Sequence, residues 1–529
     1  MTERSHLTKA LRLVAASAIF SCASSDAASV GDAGLEGGDR ATEASVDAST
    51  ADASPNSALT NDGDRFLITY APYTHGAVSE YRLYSMRNAA DPSRIMVDRT
   101  ASGLTMVDPY VYDGAHVYYR VVAVVDGSEV LVFSADGAQP VRAWSPPTVI
   151  TAPGTYSGNW RSLDPAIPAV SIANDVSGVI LTKSRIASRG DGIVVGAGAT
   201  ARVDSTRGWG LHPMTQDGSN GKFVSALKPR AVVVEHTYAE AWLFDVYVDG
   251  QLDARQQSVV VRYNRMRNVQ GRQTNADGTY KPLRFTKGGV AHAVQLNAVS
   301  SCANAEIAWN EVSQEPSIGF VEDIINVYES SGLPNSPILV HDNVVYGGYA
   351  TEPGKPAPPS GEGGGAYSGC GIISDGADPN GTETLNGHTE IRDNIVIATT
   401  NCGIGLAGGS DVRVHDNRMV SSGLLEDGTV IWASNVGIYL WKQYQTSFHN
   451  NTIVTSTSGW AIPPEARSNS GKTTNNNPSW FPDDGLNGSK AGYGDVTTVP
   501  LPITIESERG EYQRFWTRTR DQKVTIGLF

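Results

Sequence analysis

Val340-His341-Asp342-Asn343 is one copy of a phrase that decides the fold: alternating apolar residues, a mostly polar pair, then Asn. Further copies stand at Val261-Arg262-Tyr263-Asn264, Ile307-Ala308-Trp309-Asn310, Ile391-Arg392-Asp393-Asn394, Val414-His415-Asp416-Asn417 and Phe448-His449-Asn450-Asn451. The Asn positions recur at intervals between 23 and 51 residues, so one short turn of chain repeats with insertions of variable length. A short strand with one apolar face cannot bury that face alone, whereas stacked copies bury it continuously. Stacked Asn side chains then form a ladder, each amide hydrogen-bonding to the next rung. His341, His415 and His449 share one place in this phrase and are expected to stack on the surface.

A second strand recurs between these copies. It is read at Gly192–Val195, Ala231–Val234, Ala293–Leu296, Ile324–Val327, Gly371–Ser374, Gly403–Leu406 and Gly437–Leu440. Each begins at a small or aliphatic corner residue and is followed by a turn. Two or three strands per coil, small corner residues and Asn at a turn resemble the right-handed parallel β-helix of the pectate-lyase-like superfamily. The resemblance implies an all-β solenoid over 147–465 and a fold that hosts polysaccharide chemistry. It does not fix the reaction.

Composition agrees with short strands and tight turns: charged residues are 18% of 529, and Gly numbers 55. A net charge of −14 argues against a nucleic-acid partner, which needs a basic surface. An anionic substrate would need local cations. At the N-terminus, Arg4, Lys9 and Arg12 precede a short apolar run ending in Ile19-Phe20-Ser21-Cys22. That run is similar to a bacterial lipoprotein signal, which implies a signal peptide over 1–22 and lipidation of Cys22. The chain would then be held at the outer membrane or cell surface; the alternative is a secretory signal cut near Ala23 or Ala27. Residues 23–63 lack large apolar side chains and read as a disordered Asp/Ala/Ser tether.

Residues 64–146 contain short alternating strands separated by turns, as in a small antiparallel β-sandwich. Asp113-Gly114-Ala115-His116-Val117-Tyr118-Tyr119-Arg120-Val121 resembles the late hairpin of fibronectin type III modules. Residues 466–529 are expected to cover the end of the solenoid. Cys302, Cys370 and Cys402 remain beyond Cys22, with no zinc-like spacing. Cys370 and Cys402 fall at one position of adjacent coils, so either a disulfide or two stacked thiols fits.

Equivalent positions of adjacent coils lie about 4.8 Å apart, so aligned columns become spatial neighbours. The column before the corner residue reads Asp191, Arg230, His292, Asp323, Cys370, Cys402, Val436. Arg230, His292 and Asp323, with Glu322 and Tyr328 nearby, form a candidate proton-transfer site. A charge-complementary ladder is the structural alternative. Glu235, Gln295, Asn297, Asn326 and Asp375, with Tyr439 and Trp441 further along, supply amides, carboxylates and aromatic faces for a sugar. Glu235, Asp323 and Asp375 are the expected oxygen ligands for Ca²⁺.

The favoured expectation is a surface-anchored lyase cleaving an acidic polysaccharide by β-elimination, with Arg230 neutralising the substrate carboxylate. Glu322-Asp323 followed by a strand and Gly resembles the paired-acid motif of polygalacturonase-type hydrolases. The Asn-Thr-Asp motif of that family has no counterpart here, and Gly387-His388-Thr389 carries Thr where Gly is expected. A glycoside hydrolase using a carboxylate pair, and a non-catalytic glycan-binding adhesin, remain the alternatives.

Overall fold

A computed structural model describes residues 57–62, 65–86, 95–250, 257–281, 290–350, 352–355, 368–376, 385–440, 450–464, 466, 476–481 and 496–528. The signal expected over 1–22 and the tether expected over 23–63 lie outside the described residues as far as 56, and the end of the tether is corrected: Ala58–Asn61 is a strand paired with Phe66–Thr69. Three parallel sheets of eleven, ten and eleven described strands stack as a β-helix. The first sheet runs from Thr148–Ile150 to Ser479–Trp480, the second from Gly154–Tyr156 to Thr452–Val454, the third from Asn159–Ser162 to Val496–Thr498. One coil contributes one strand to each sheet, and each strand pairs in parallel with its equivalent a coil away. Inward Val, Ile and Leu from all three sheets form one core along the axis.

The Asn ladder stands at the turn between the second and third sheets. Asn264 Nδ2 donates to Asn310 Oδ1 at 2.9 Å, Asn310 to Asn343 at 2.9 Å, Asn343 to Asn394 at 2.9 Å and Asn394 to Asn417 at 3.0 Å. Each Nδ2 also reaches a backbone carbonyl of a neighbouring coil, as Asn310 does to Val261 at 2.9 Å. These side chains are buried, so the ladder satisfies groups that would otherwise be stranded from water. Thr237 Oγ1 ends the ladder on Asn264 Oδ1 at 2.8 Å, while Asn451 turns away to accept from Val412 N. The residue before each ladder Asn is left-handed, including Tyr263 at φ 61° and Trp309 at φ 54°. Bulky side chains rarely adopt that conformation, so the corner geometry overrides local preference.

Before the solenoid, seven strands form two antiparallel sheets, ordered Ala58–Asn61, Phe66–Thr69, Thr105–Asp108 and Ile95–Thr100, Val78–Met86, His116–Val125, Ser128–Ala138. Phe66, Ile68, Leu83, Tyr119 and Val121 join their faces in one core. This unit packs on the third sheet through the stacked rings of Tyr110 and Tyr238 and a buried Arg185–Asp113 ion pair of 2.8 Å. Arg265, also buried, donates to the carbonyls of Met96 and Val97.

The C-terminal expectation is corrected. Ile505–Asp521 is an α-helix of 17 residues on the outer face of the third sheet, capped by Thr504 and Ser507. Its buried residues Glu508, Glu511, Tyr512, Phe515, Trp516 and Thr519 follow helical periodicity. Two of them are Glu, which masks the apolar stripe in sequence. Glu511 is held by Arg418, and Tyr512 donates to Glu311 at 2.9 Å.

Candidate functional site

The first sheet positions most of the expected residues, and its register corrects two. Its column reads Lys222, Phe244, His292, Asp323, Cys370, Cys402 and Val436, His292 and Asp323 each standing two residues before the paired Val294 and Ile325. Arg230 is not among them. It is exposed and precedes Ala231–Glu235, a strand of the second sheet. Glu235 therefore points away from the site as well, ion-paired with Arg202 and, at 3.0 Å, with Arg262. The misreading has a physical origin. The corner column runs Gly192, Phe223, Asp245, Ala293, Ile324, Gly371, Gly403, Gly437, so two coils carry bulky or charged residues at a corner expected to be small. Asp245 is fully buried, neither oxygen has a hydrogen-bond partner among the described residues, and burial raises its carboxyl far above the usual range.

His292, Glu322 and Asp323 do come together. The His292 ring is sealed from solvent, and its Nδ1 lies 2.8 Å from the carbonyl oxygen of Asp323. A carbonyl only accepts, so Nδ1 carries a proton. Nε2 lies 3.4 Å from Glu322 Oε2 and has no hydrogen-bond partner among the described residues. The Glu322 side chain remains 34% exposed beside it. Asp323 is buried and its Oδ1 accepts the Cys370 N–H at 2.7 Å. Burial, with the Glu322 charge adding, raises its carboxyl well above the usual range despite that bond.

Asp375 ends the next strand, opposite Tyr328. Burial, then Glu322 and Glu329, push its carboxyl up to about 8, against a bond from Asn326. Asp375 Oδ1 and Asn326 Oδ1 are both buried without a partner among the described residues. Tyr439 lies across Gly405, where any Cβ would sit within 3 Å of its ring. Burial and the charges of Asp323 and Asp375 raise its hydroxyl, placing it beside both carboxyls. Its ring is 6.4 Å from that of Trp480. Gln295 and Asn326 pair in register beside Tyr247, and Asn297 donates to Asp249 at 2.7 Å and to Tyr247 at 3.1 Å. Tyr328 is half-buried and hydrogen-bonds Glu329.

The first sheet therefore gathers Glu322, Asp323 and Asp375 with Asn326 and Tyr439 on one outer face. None of the three carboxyls has an Arg or Lys ion pair among the described residues. Trp441 lies outside them. Cys370 and Cys402 pair in register and are joined by a disulfide, and Cys302 is free and buried. The Ca²⁺ trio is not one site, because Glu235 faces another direction. Among the described residues no three His, Cys, Asp or Glu side chains converge as a metal-binding set. Phe244, Tyr247 and Asp249 belong to the face but were hidden by the misplaced coil. Their alternation in Phe244–Asp249 was the signal available.

No known protein family and no curated protein matches the chain. Solved structures of similar architecture include a pectate lyase of Pectobacterium carotovorum at 14% identity, covering 56% of this chain and 87% of that one, TM-score 0.21. Another is a pectate lyase of Erwinia chrysanthemi in complex with tetragalacturonic acid, at 11% identity, covering 55% and 84%, TM-score 0.18. A third is a family 28 exopolygalacturonase of Yersinia enterocolitica at 9% identity, covering 75% and 99%, TM-score 0.19. The fold assignment rests on the three stacked sheets, not on these likenesses.

Proposed function

We propose that the chain is a carbohydrate-active protein that hydrolyses a glycosidic bond on the outer face of its first sheet. The observation that carries this reading is the trio Glu322, Asp323 and Asp375, in which burial raises the Asp323 carboxyl and pushes that of Asp375 up to about 8. Glycoside hydrolysis needs a carboxylic acid to protonate the leaving oxygen and a carboxylate to activate water or attack the sugar. Asp375 supplies the acid. Glu322, half-exposed beside His292, supplies the base or nucleophile. Asp323, fixed by backbone N–H groups, holds the charge balance between them. Trp480 offers an apolar face for a sugar ring, and Asn297 offers an amide for its hydroxyls.

Lyase chemistry through Arg230 loses its cation, since Arg230 stands on another sheet. The glycan-binding reading is favoured by one observation: His292 is sealed and Asp323 is bound to backbone, so neither is free to meet a substrate. A Ca²⁺ ion, if used, has Asp323 and Asp375 but not Glu235 as protein ligands. The sequence around Cys22 supports a lipid-anchored protein at the cell surface, and the hairpin around Tyr119 supports a fibronectin-like module.

The test is incubation of the purified chain with a panel of acidic and neutral polysaccharides, reading reducing ends and the ultraviolet absorbance of unsaturated products. Hydrolysis gives reducing ends alone. Unsaturated products would replace this reading with a lyase, and binding without products would replace it with an adhesin.

A further inference from the structure

Against the outer face of the third sheet, under the C-terminal helix, lies a cavity of about 50 Å³. Three parts of the chain enclose it: the strands that carry Ser313 and Tyr346, the turn at Leu424, Leu425 and Glu426, and the helix residues Glu508 and Tyr512. Alternation along Glu311–Ser313 sends Val312 into the core and Ser313 outward, in register with Tyr346 of the next coil. The Tyr346 hydroxyl donates to Glu426 at 2.9 Å, and its ring stands 5.4 Å from that of Tyr512. Ser313 is therefore aimed at the cavity. It is only 6% exposed, and its hydroxyl has no hydrogen-bond partner among the described residues. The side-chain amide of Gln314, the next residue of the lining, is buried and also without one.

Every charged residue of the lining is acidic: Glu315, Glu426 and Glu508. Glu426 pairs with Arg509, which stands outside the lining, and Glu315 accepts from the Asn268 amide at 2.6 Å. Glu508 is buried and accepts from the Ser422 N–H, but no Arg or Lys lies within ion-pair distance of it among the described residues. Burial, with the Glu426 charge adding, pushes its carboxyl up to about 8. The walls are the rings of Tyr346, Tyr349 and Tyr512. Pro316, Leu424 and Glu426 keep some exposure, which gives a small ligand a way in.

A buried hydroxyl without a partner is costly unless something in the cavity meets it. An ammonium carries three N–H donors and no acceptor, which suits carboxylate and hydroxyl oxygens. Tyrosine faces attract the same charge. An anion would be repelled by the carboxylates, and a neutral guest of equal size gains neither attraction. We infer that this cavity is a binding site for a small primary amine, held as its ammonium between Glu508, the Ser313 hydroxyl and the tyrosine faces. The site belongs to the third sheet and the helix, and it does not depend on the carboxyl trio of the first sheet.

Saturation-transfer NMR on the full chain tests it with methylammonium and with methanol, its neutral counterpart of the same size. The measurement is made at about pH 9, where Glu508 is ionised and an alkylamine still holds its proton. Methylammonium should bind saturably with a Kd of about 1–10 mM, and methanol should show no transfer. Glu508→Gln should weaken methylammonium binding about tenfold. Glu506→Gln, on the exposed side of the same helix, should leave it unchanged. Equal transfer to methanol, or none to methylammonium, overturns the inference with the unmodified chain alone, the second result meaning that the cavity holds only water. Unchanged methylammonium affinity in a folded Glu508→Gln variant also overturns it, because the amine would then be gathering on the acidic surface. So does unchanged affinity in Ser313→Leu, whose larger side chain fills the space.

Discussion

The outer faces of the first and second sheets are built on the same repeat, yet they treat charge in opposite ways. Across the second sheet the charges alternate in a chain of contacts: Arg202, Glu235, Arg262, Glu306, His341, Asp342, Arg392, Glu390 and His415. Every carboxylate of that chain meets an Arg. On the first sheet, Glu322, Asp323 and Asp375 meet one another, and burial raises the carboxyl of Asp323 and pushes that of Asp375 up to about 8. A compensated ladder is what stacking alone requires. Carboxyls crowded without cations are costly to ionise, and such sites are where function concentrates.

Four outcomes would sharpen or break that contrast. The largest concerns rate. Asp375→Asn or Glu322→Gln should lower kcat for polysaccharide hydrolysis by roughly 10²–10⁴-fold, while Glu235→Gln on the second sheet leaves it unchanged. Equal losses from both sheets would erase the distinction. Next is the ladder. Asn343 donates to Asn394 and the Ile307 carbonyl and accepts from Asn310, all in the interior. Asn343→Ala should cost about 3 kcal/mol in urea unfolding, and a neutral result would mean the ladder is incidental.

The third is pH dependence. Asp375 and Glu508 both have carboxyls pushed up to about 8 by burial. Between the ordinary carboxylate range and pH 8 the folded state then binds more protons than the unfolded one. Stability therefore falls as pH rises from about 4 to about 8, by a few kcal/mol at most. Asp375→Asn should flatten part of that slope, and a slope of opposite sign would show that the carboxyl ionises normally. The smallest effect belongs to His341. Burial opposes its charge, but Asp342 and Glu306 outweigh that and raise its pKa. Its contribution is present below the unfolded value near 6.5 and is lost as pH climbs through the folded one. His341→Asn should cost under about 1 kcal/mol at pH 6 and nothing at pH 9.

The fold was legible because its signal is periodic. The Asn phrase marks the turn between second and third sheets, and corner residues such as Gly371, Gly403 and Gly437 mark the start of first-sheet strands. Where the corner carried Phe223 and Asp245 the period broke. Ala231–Val234, a second-sheet strand with similar alternation, then filled the gap. That single slip carried Arg230 and Glu235 into the wrong face and hid Lys222 and Tyr247. The residues after it, His292, Asp323, Asn326, Asp375 and Tyr439, kept their register and share one face. A column shows which residues stack but not which atoms meet, so the contact of His292 Nδ1 with the Asp323 carbonyl was not legible in it. The terminal helix escaped because Glu508 and Glu511 occupy its buried stripe.

The central physical claim is that the Asp375 carboxyl on the first sheet holds its proton at neutral pH. A carbon-13 titration of aspartate-labelled protein, with Asp375 assigned through the Asp375→Asn spectrum, measures this directly. The account predicts a carboxyl carbon that changes only as pH approaches about 8. A midpoint near 4, in the ordinary aspartate range, would contradict it.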